Sequence, residues 1–184
     1  LERKEQLGIR ILNISVGACS KRGMSENSAL VKGVNRAWDA GLVVVVAAGN
    51  NGPRTMSITT PGISRKVITV GCSDDDREVL VGGNRMVDYS GRGPTAACIC
   101  KPDLVAPGCS VVSCSSRADK YTIKSGTSMS TPIVSGAVAL LLERFPDMSN
   151  KDVKLRLRES SVDIGLPRNQ QGWGLLDVGK MLER

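Results

Sequence analysis

Residues 42–49 read LVVVVAAG, an apolar run with four consecutive valines. A strand with one wet face alternates apolar and polar side chains. A continuous β-branched run predicts a strand buried on both faces, and such strands belong to parallel sheets covered by helices. The chain is therefore read as α/β. IRILNIS (9–15), KVITVG (66–71) and SVVSC (110–114) read as further strands. In SENSALVKGVNRAWDAG (25–41), Leu30, Val31, Val34, Ala37 and Trp38 recur at helical spacing, and the pattern closes on Gly41. SNKDVKLRLRESS (149–161) predicts an amphipathic helix with Ser149 as N-cap. The loops NNGP (50–53), TTPG (59–62), SGRGP (90–94) and APG (106–108) fall between these elements, and loops at strand ends carry function in α/β folds. No repeat or linker divides the chain, so residues 1–184 are read as one domain.

Composition removes several function classes. The net charge of +7 invites a nucleic-acid reading, but the basic residues are scattered and aromatics make up only 3% of the chain. Neither a basic stripe nor a stacking platform results, and the plain reading is a solvated basic surface with no nucleic-acid partner. No apolar run reaches the roughly 18 residues of a membrane span. No signal-peptide pattern opens the chain, which reads as a piece of something longer, a soluble protein either secreted or cytoplasmic. Cys98, Cys100, Cys109 and Cys114 lie close in sequence, yet not as the paired C-x-x-C units of a zinc site. With Cys19 and Cys72 they are expected to be free thiols, since a chain with this much apolar strand needs no disulfide staples. No metal ligand is assigned.

The stretch KSGTSMSTPIVSGAVALLL (124–142) sets hydroxyls against an apolar run. From Met129 to Phe145 the residues are apolar or small nearly all round, predicting a helix buried inside the fold. Pro132 lacks an amide proton, so the helix is expected to begin close to Ser128. A hydroxyl there faces the free amides and positive dipole end of the helix, where an oxyanion is stabilised. Ser125, Thr127, Ser128, Ser130 and Thr131 are equally readable as caps, and nothing local selects one. Asn50 follows the buried strand at the carboxyl end of the sheet. Asparagines before Gly-Pro are ordinary turn formers. An amide donor there and a serine at a helix start would together make a nucleophile with an oxyanion hole.

These segments resemble the subtilisin-like serine proteases. GTSMSTPIVSGAVALLL is similar to their serine segment and VVVVAAGNNGP to their oxyanion-asparagine segment. ILNISVGA, VITVGCSD, YSGRGP with KPDLVAPG, and GWGLLDV continue the likeness in the family's order. The resemblance implies a subtilisin-like three-layer fold with a mainly parallel sheet, truncated at its amino-terminal side. It makes Ser128 the nucleophile, and Asn50 the oxyanion donor together with the Ser128 amide. Ser15, Val16 and Gly17 become the strand that pairs with an extended substrate, and Ala47, Ala48 and Gly49 a wall of the pocket for the residue before the scissile bond. Thr127 belongs to the same substrate-binding set, although like Ser130 it also reads as a structural hydroxyl.

The departures shape the expected activity. The family's order is aspartate, histidine, serine, with the first two upstream of ILNIS, and this chain contains no histidine. Residues 1–184 are thus expected to be the carboxyl-terminal part of a catalytic domain, close to inactive alone. The implied partners are a polypeptide substrate, the missing amino-terminal segment, and further copies of the chain through the sheet edge at ILNIS. Ile133 stands where the family commonly has a histidine that is not the triad base, which changes local packing. The acidic run SDDDRE (73–78) reads as a solvated turn; the resemblance raises calcium there, a cation that carboxylates suit, and implies no other cofactor. Two functions stay open: a serine endopeptidase, or a pseudoprotease or interaction module that keeps the fold without the chemistry.

Overall fold

The computed structural model describes residues 1–18, 26–116 and 120–183. Along the chain run β1 (Ile11–Ile14), α1 (Ala29–Asp39), β2 (Val43–Ala47), β3 (Ile68–Cys72), β4 (Val79–Val81), β5 (Asn84–Met86) and β6 (Leu104–Ala106). Then follow β7 (Val111–Cys114), β8 (Tyr121–Lys124), α2 (Thr127–Arg144), α3 (Asn150–Ser160), α4 (Arg168–Gln171) and α5 (Val178–Leu182). The valine run is β2, and none of its residues is more than 2% exposed. It lies inside a parallel sheet of order β1-β2-β3-β6, with Ile14 opposite Val46 and Ala47 opposite Val70. Helix α2 packs across β1, β2 and β3 through Val134, Ala137, Val138 and Leu141, and α1 packs on β2 with Val34, Ala37 and Trp38. Each fully buried valine stabilises the fold by about 1.5–3 kcal/mol, so β2 and its two helices dominate the core.

Several local expectations hold. Ser149 caps α3, accepting from the Asp152 amide while the Asp152 carboxylate accepts from the Ser149 amide, a reciprocal capping box. Helix α1 is shorter than its periodicity suggests, because Ser28 caps it by accepting from the Val31 amide. Leu30, expected on its apolar face, is 51% exposed. The beginning of that expected stretch, at Ser25, lies outside the described residues, as does Cys19.

Other expectations change. The SVVSC strand forms as β7, but it pairs antiparallel with β8 in a separate hairpin rather than joining the parallel sheet. Helix α2 starts at Thr127 and carries Pro132 in its second turn. It is not buried on all sides: Pro132, Gly136, Ala139 and Leu140 are exposed. Uniform apolarity gives no stripe from which the sheet-facing side can be read; the sheet covers the side that carries Val134, Ala137, Val138 and Leu141.

Charge is buried at the amino end of the sheet, away from the strand ends that carry Asn50 and Ser15. Lys101, 1% exposed, donates to the Val67 carbonyl at 3.0 Å and to Asp103 Oδ2, which also accepts from the Thr69 amide at 2.7 Å. Lys154 lies 3.4 Å from Asp103 Oδ1 and within 6 Å of the Trp38 and Trp173 ring centres. Burial pulls the Lys101 ammonium down to about 8, against the opposing pull of Asp103. Asp103→Asn is expected to destabilise the protein by about 3–5 kcal/mol, because it leaves a buried ammonium without its counter-charge. Urea unfolding of the variant measures this, and a loss below 1 kcal/mol would contradict it.

Candidate active site

Three segments distant in sequence meet at the carboxyl end of the parallel sheet. Helix α2 begins there with Gly126 as its N-cap, at φ 139°. That conformation is open to glycine and lets the chain turn sharply from β8 into the helix. Strand β2 delivers Gly49 and Asn50, and β1 delivers Ser15.

Asn50 is held by its oxygen. Its Oδ1 accepts from the Thr127 amide and from Thr127 Oγ1, both at 3.0 Å, while Thr127 Oγ1 accepts from the Gly49 amide at 3.2 Å. Fixing Oδ1 on the helix start turns the amide so that Nδ2 is its donor end. The Thr127 amide is thus taken by Asn50 and the Met129 amide by the Gly126 carbonyl. The Ser128 amide between them has no partner among the described residues. A half-buried backbone N–H at a helix start beside an oriented carboxamide is what a developing oxyanion requires.

The hydroxyls of the KSGTSMSTP stretch occupy different environments. Ser128 is half-buried, and its Oγ donates to the Ser15 carbonyl at 2.8 Å. Ser125 Oγ accepts from the Ser110 amide. Thr127 is fully buried with its hydroxyl on Asn50, and Thr131 Oγ1 donates to the Thr127 carbonyl. Ser130 Oγ is buried without a partner among the described residues, in the space that a side chain at Gly108 would need. Ser128 also lines a cavity of about 400 Å³ with Met129, Pro132, Ile133, Lys124 and Cys114. Of the β7–β8 hairpin that supplies Lys124 and Cys114, only the SVVSC strand is read from the sequence, with no mark of its proximity to the serine.

Of the substrate-binding candidates, Ser15, Val16 and Gly17 continue past the end of β1, and Val16 is 69% exposed. Ala47 and Ala48 are buried at the end of β2, and Gly49 is half-buried beside them. Thr59, which sequence reasoning passed over as part of a TTPG turn, lies against both Gly17 and Gly49.

Among the described residues the cysteines and acids do not assemble into a metal centre. Among the described residues no cluster of His, Cys, Asp or Glu can hold a metal ion, and the five described cysteines are free. Burial pushes the Cys72 thiol up to about 12; it lies 3.1 Å from Asp74 Oδ1 and 3.2 Å from Tyr89 Oη, a protonated group rather than a nucleophile. The acidic run departs from the solvated turn expected of it. Asp74 Oδ1 accepts from the Gly108 and Cys109 amides, and buried Asp75 accepts from the Ser90 amide at 2.7 Å, its carboxyl raised by desolvation. These carboxylates pin loops to the sheet, their oxygens are taken by backbone amides, and they do not fit a calcium cage. Among the described residues no helix is long and apolar enough to cross a membrane.

The model of the subtilase family matches residues 1–174. The chain is 40% identical over 167 residues to serine protease AprX of Bacillus subtilis (strain 168), covering 83% of this chain and 38% of that protein. It is 34% identical over 180 residues to subtilisin DY of Bacillus licheniformis, covering 97% of this chain and 58% of the relative. The solved structure of sphericase superposes with a TM-score of 0.77 at 30% identity, over 96% of this chain and 60% of that one. The chain thus spans roughly two fifths to three fifths of these three proteins. With a parallel sheet whose carboxyl end brings a helix-start serine to an anchored asparagine, and with the family model running through all but its last ten residues, the chain belongs to the subtilase family.

Proposed function

We propose that these residues carry the nucleophile and oxyanion-hole portion of a serine endopeptidase, which cleaves polypeptides through an acyl-enzyme on Ser128. The observation that carries this reading is the Ser128 amide, without a partner among the described residues, at the helix start where Thr127 fixes the oxygen of Asn50. In the reaction Ser128 Oγ attacks the scissile carbonyl carbon, and the carbonyl oxygen takes up charge between the Ser128 N–H and Asn50 Nδ2. The C–N bond then breaks, the amine leaves protonated, and water releases the acyl group. An extended substrate lies along Ser15–Gly17, where main-chain pairing gives affinity.

The proton sets the limit on what residues 1–184 do alone. Ser128 Oγ donates to a backbone carbonyl, which accepts a hydrogen bond but not the proton itself. The chain has no histidine, so the aspartate and histidine come from the amino-terminal part of the longer protein. Residues 1–184 by themselves retain at most the roughly 10³- to 10⁴-fold acceleration that an oxyanion hole and binding supply without a triad.

A fluorophosphonate probe tests the reading in the full-length protein. Labelling is expected on Ser128 and is lost in Ser128→Ala. An unlabelled, folded full-length protein would turn the assignment toward an interaction module. Strand β1 is an edge of the described sheet, and the upstream segment pairs there; in its absence the same edge pairs with a second copy. Sedimentation of residues 1–184 is expected to show association, and a monomer at high concentration contradicts the edge pairing.

A further inference from the structure

The two donors of the oxyanion hole sit on separate elements. Asn50 lies just past the end of β2, and the Ser128 amide belongs to the first turn of α2. One carbonyl oxygen meets both only if the strand end and the helix start are held at a fixed spacing. Tyr89 is bonded to each of them. The Gly91 amide donates to the Gly49 carbonyl at 2.8 Å, and the Tyr89 carbonyl accepts from the Gly52 amide at 2.9 Å. Residues 89–91 thus tie down the chain directly before Asn50 and shortly after it.

The side chain of Tyr89 reaches the other element. Its Oη donates to the Gly108 carbonyl at 3.2 Å, and the same oxygen accepts from the amide of Gly126, the N-cap of α2, at 2.9 Å. The Gly108 amide is fixed as well, donating to Asp74 Oδ1 at 2.7 Å. With its amide and its carbonyl both committed, Gly108 cannot turn, and the start of α2 is bonded to it. The two lie so close that a Cβ on Gly108 would meet Ser130 Oγ and would lie 3.0 Å from the Gly126 carbonyl oxygen.

Tyr89 is itself locked in place. It is fully buried, and it packs in one cluster with Cys72, with Val79 and Val81 of β4 and with Met86 of β5. The cluster extends to the donor: a Cβ on Gly126 would lie 3.2 Å from Asn50 Nδ2 and 3.6 Å from Val81 Cγ1. Burial pushes the Tyr89 phenol above its ordinary value, so the hydroxyl keeps its proton and remains a donor.

We propose that Tyr89 is a positioning residue that sets the spacing between Asn50 and the Ser128 amide, by joining the strand end that carries one to the helix start that carries the other. This role rests on Asn50 and the Ser128 amide being the oxyanion donors. Two hydrogen bonds converging on the Gly108 carbonyl fix its direction, whereas one leaves it free to tilt and to carry Gly126 with it. Donors of this kind serve a developing charge only when held within roughly 0.5 Å of the productive geometry.

The test compares Tyr89→Phe with wild type in the full-length protein, using a tetrapeptide p-nitroanilide that the wild type cleaves and the aldehyde of the same peptide. The serine oxygen adds to the aldehyde carbon, and the aldehyde oxygen then occupies the place of the oxyanion. The substitution removes one hydroxyl and keeps the ring. With rates taken per serine titrated by a fluorophosphonate, kcat is expected to fall about tenfold, within the roughly 10²-fold that a misplacement of about 1 Å costs, and KM to stay unchanged. Affinity for the aldehyde falls by the same factor. In the Asn50→Ala background the substitution costs less than about twofold, because a single donor has no spacing to keep. If Tyr89→Phe does not fold, Val81→Ala, which loosens the seat of the ring, gives the same pattern at smaller size. A kcat within about twofold of wild type, a change confined to KM, or full additivity with Asn50→Ala overturns the role of Tyr89 and leaves the oxyanion assignment standing. An Asn50→Ala variant with unchanged kcat overturns that assignment and the role of Tyr89 with it.

Discussion

Ser128→Ala in the full-length protein is expected to lower kcat by about 10⁶-fold, the loss measured when the serine of a subtilisin is removed. KM should change little, because the hydroxyl acts on the carbonyl carbon rather than on substrate binding. No neighbouring hydroxyl can take over. Thr127 Oγ1 is held between Asn50 and the Gly49 amide, Thr131 Oγ1 is bound to the Thr127 carbonyl, and Ser130 is fully buried. Freeing any of them would require unwinding the first turn of α2. Hydrolysis of a peptide p-nitroanilide, followed to enzyme concentrations high enough to detect a residual rate, checks this. Turnover within tenfold of wild type would move the chemistry to another group.

Asn50→Ala is expected to reduce kcat by about 10²- to 10³-fold, the cost reported for losing the oxyanion-hole asparagine of a subtilisin. The loss should fall on kcat, since the donor acts on charge that develops only in the transition state. Asn50 also has a structural task, because its Oδ1 accepts from the Thr127 amide and hydroxyl. Asn50→Asp separates the two tasks. A carboxylate keeps the acceptor for Thr127 but removes the Nδ2 donor, so kcat should fall at least as far while the thermal midpoint stays near that of wild type. An effect confined to KM in either variant would argue against the oxyanion role.

The elements differ in how far they can be read from sequence, and the reason lies in the range of the forces that make them. The burial of β2 is legible because a run without polar side chains is compatible with few environments. The cap of α3 is legible because Ser149 and Asp152 satisfy each other within one turn. β6 is not: its three residues, between Pro102 and Pro107, carry no period. They become a strand because β3 pairs with one side and the Gly174–Leu176 segment bonds Val105 on the other. Asp74 and Asp75 look like surface charge until the backbone amides of residues 90, 108 and 109 converge on them.

The same division runs through the candidate site. The sequence by itself determined a parallel α/β core, a serine at the start of an apolar helix and an asparagine at the end of a buried strand, because burial pattern and helix initiation are properties of neighbouring residues. Local chemistry left the five hydroxyls of the serine stretch equivalent, and it was the family resemblance that singled out Ser128. Only the tertiary structure set Ser128 against Ser15, 113 residues away, and tied Thr127 to Asn50, 77 residues away. It also brought Thr59 between two glycines that belong to different strands. Which hydroxyl stands exposed to a substrate, and how much room lies beside it, are decided by contacts between distant segments, which exist only once the chain has closed on itself.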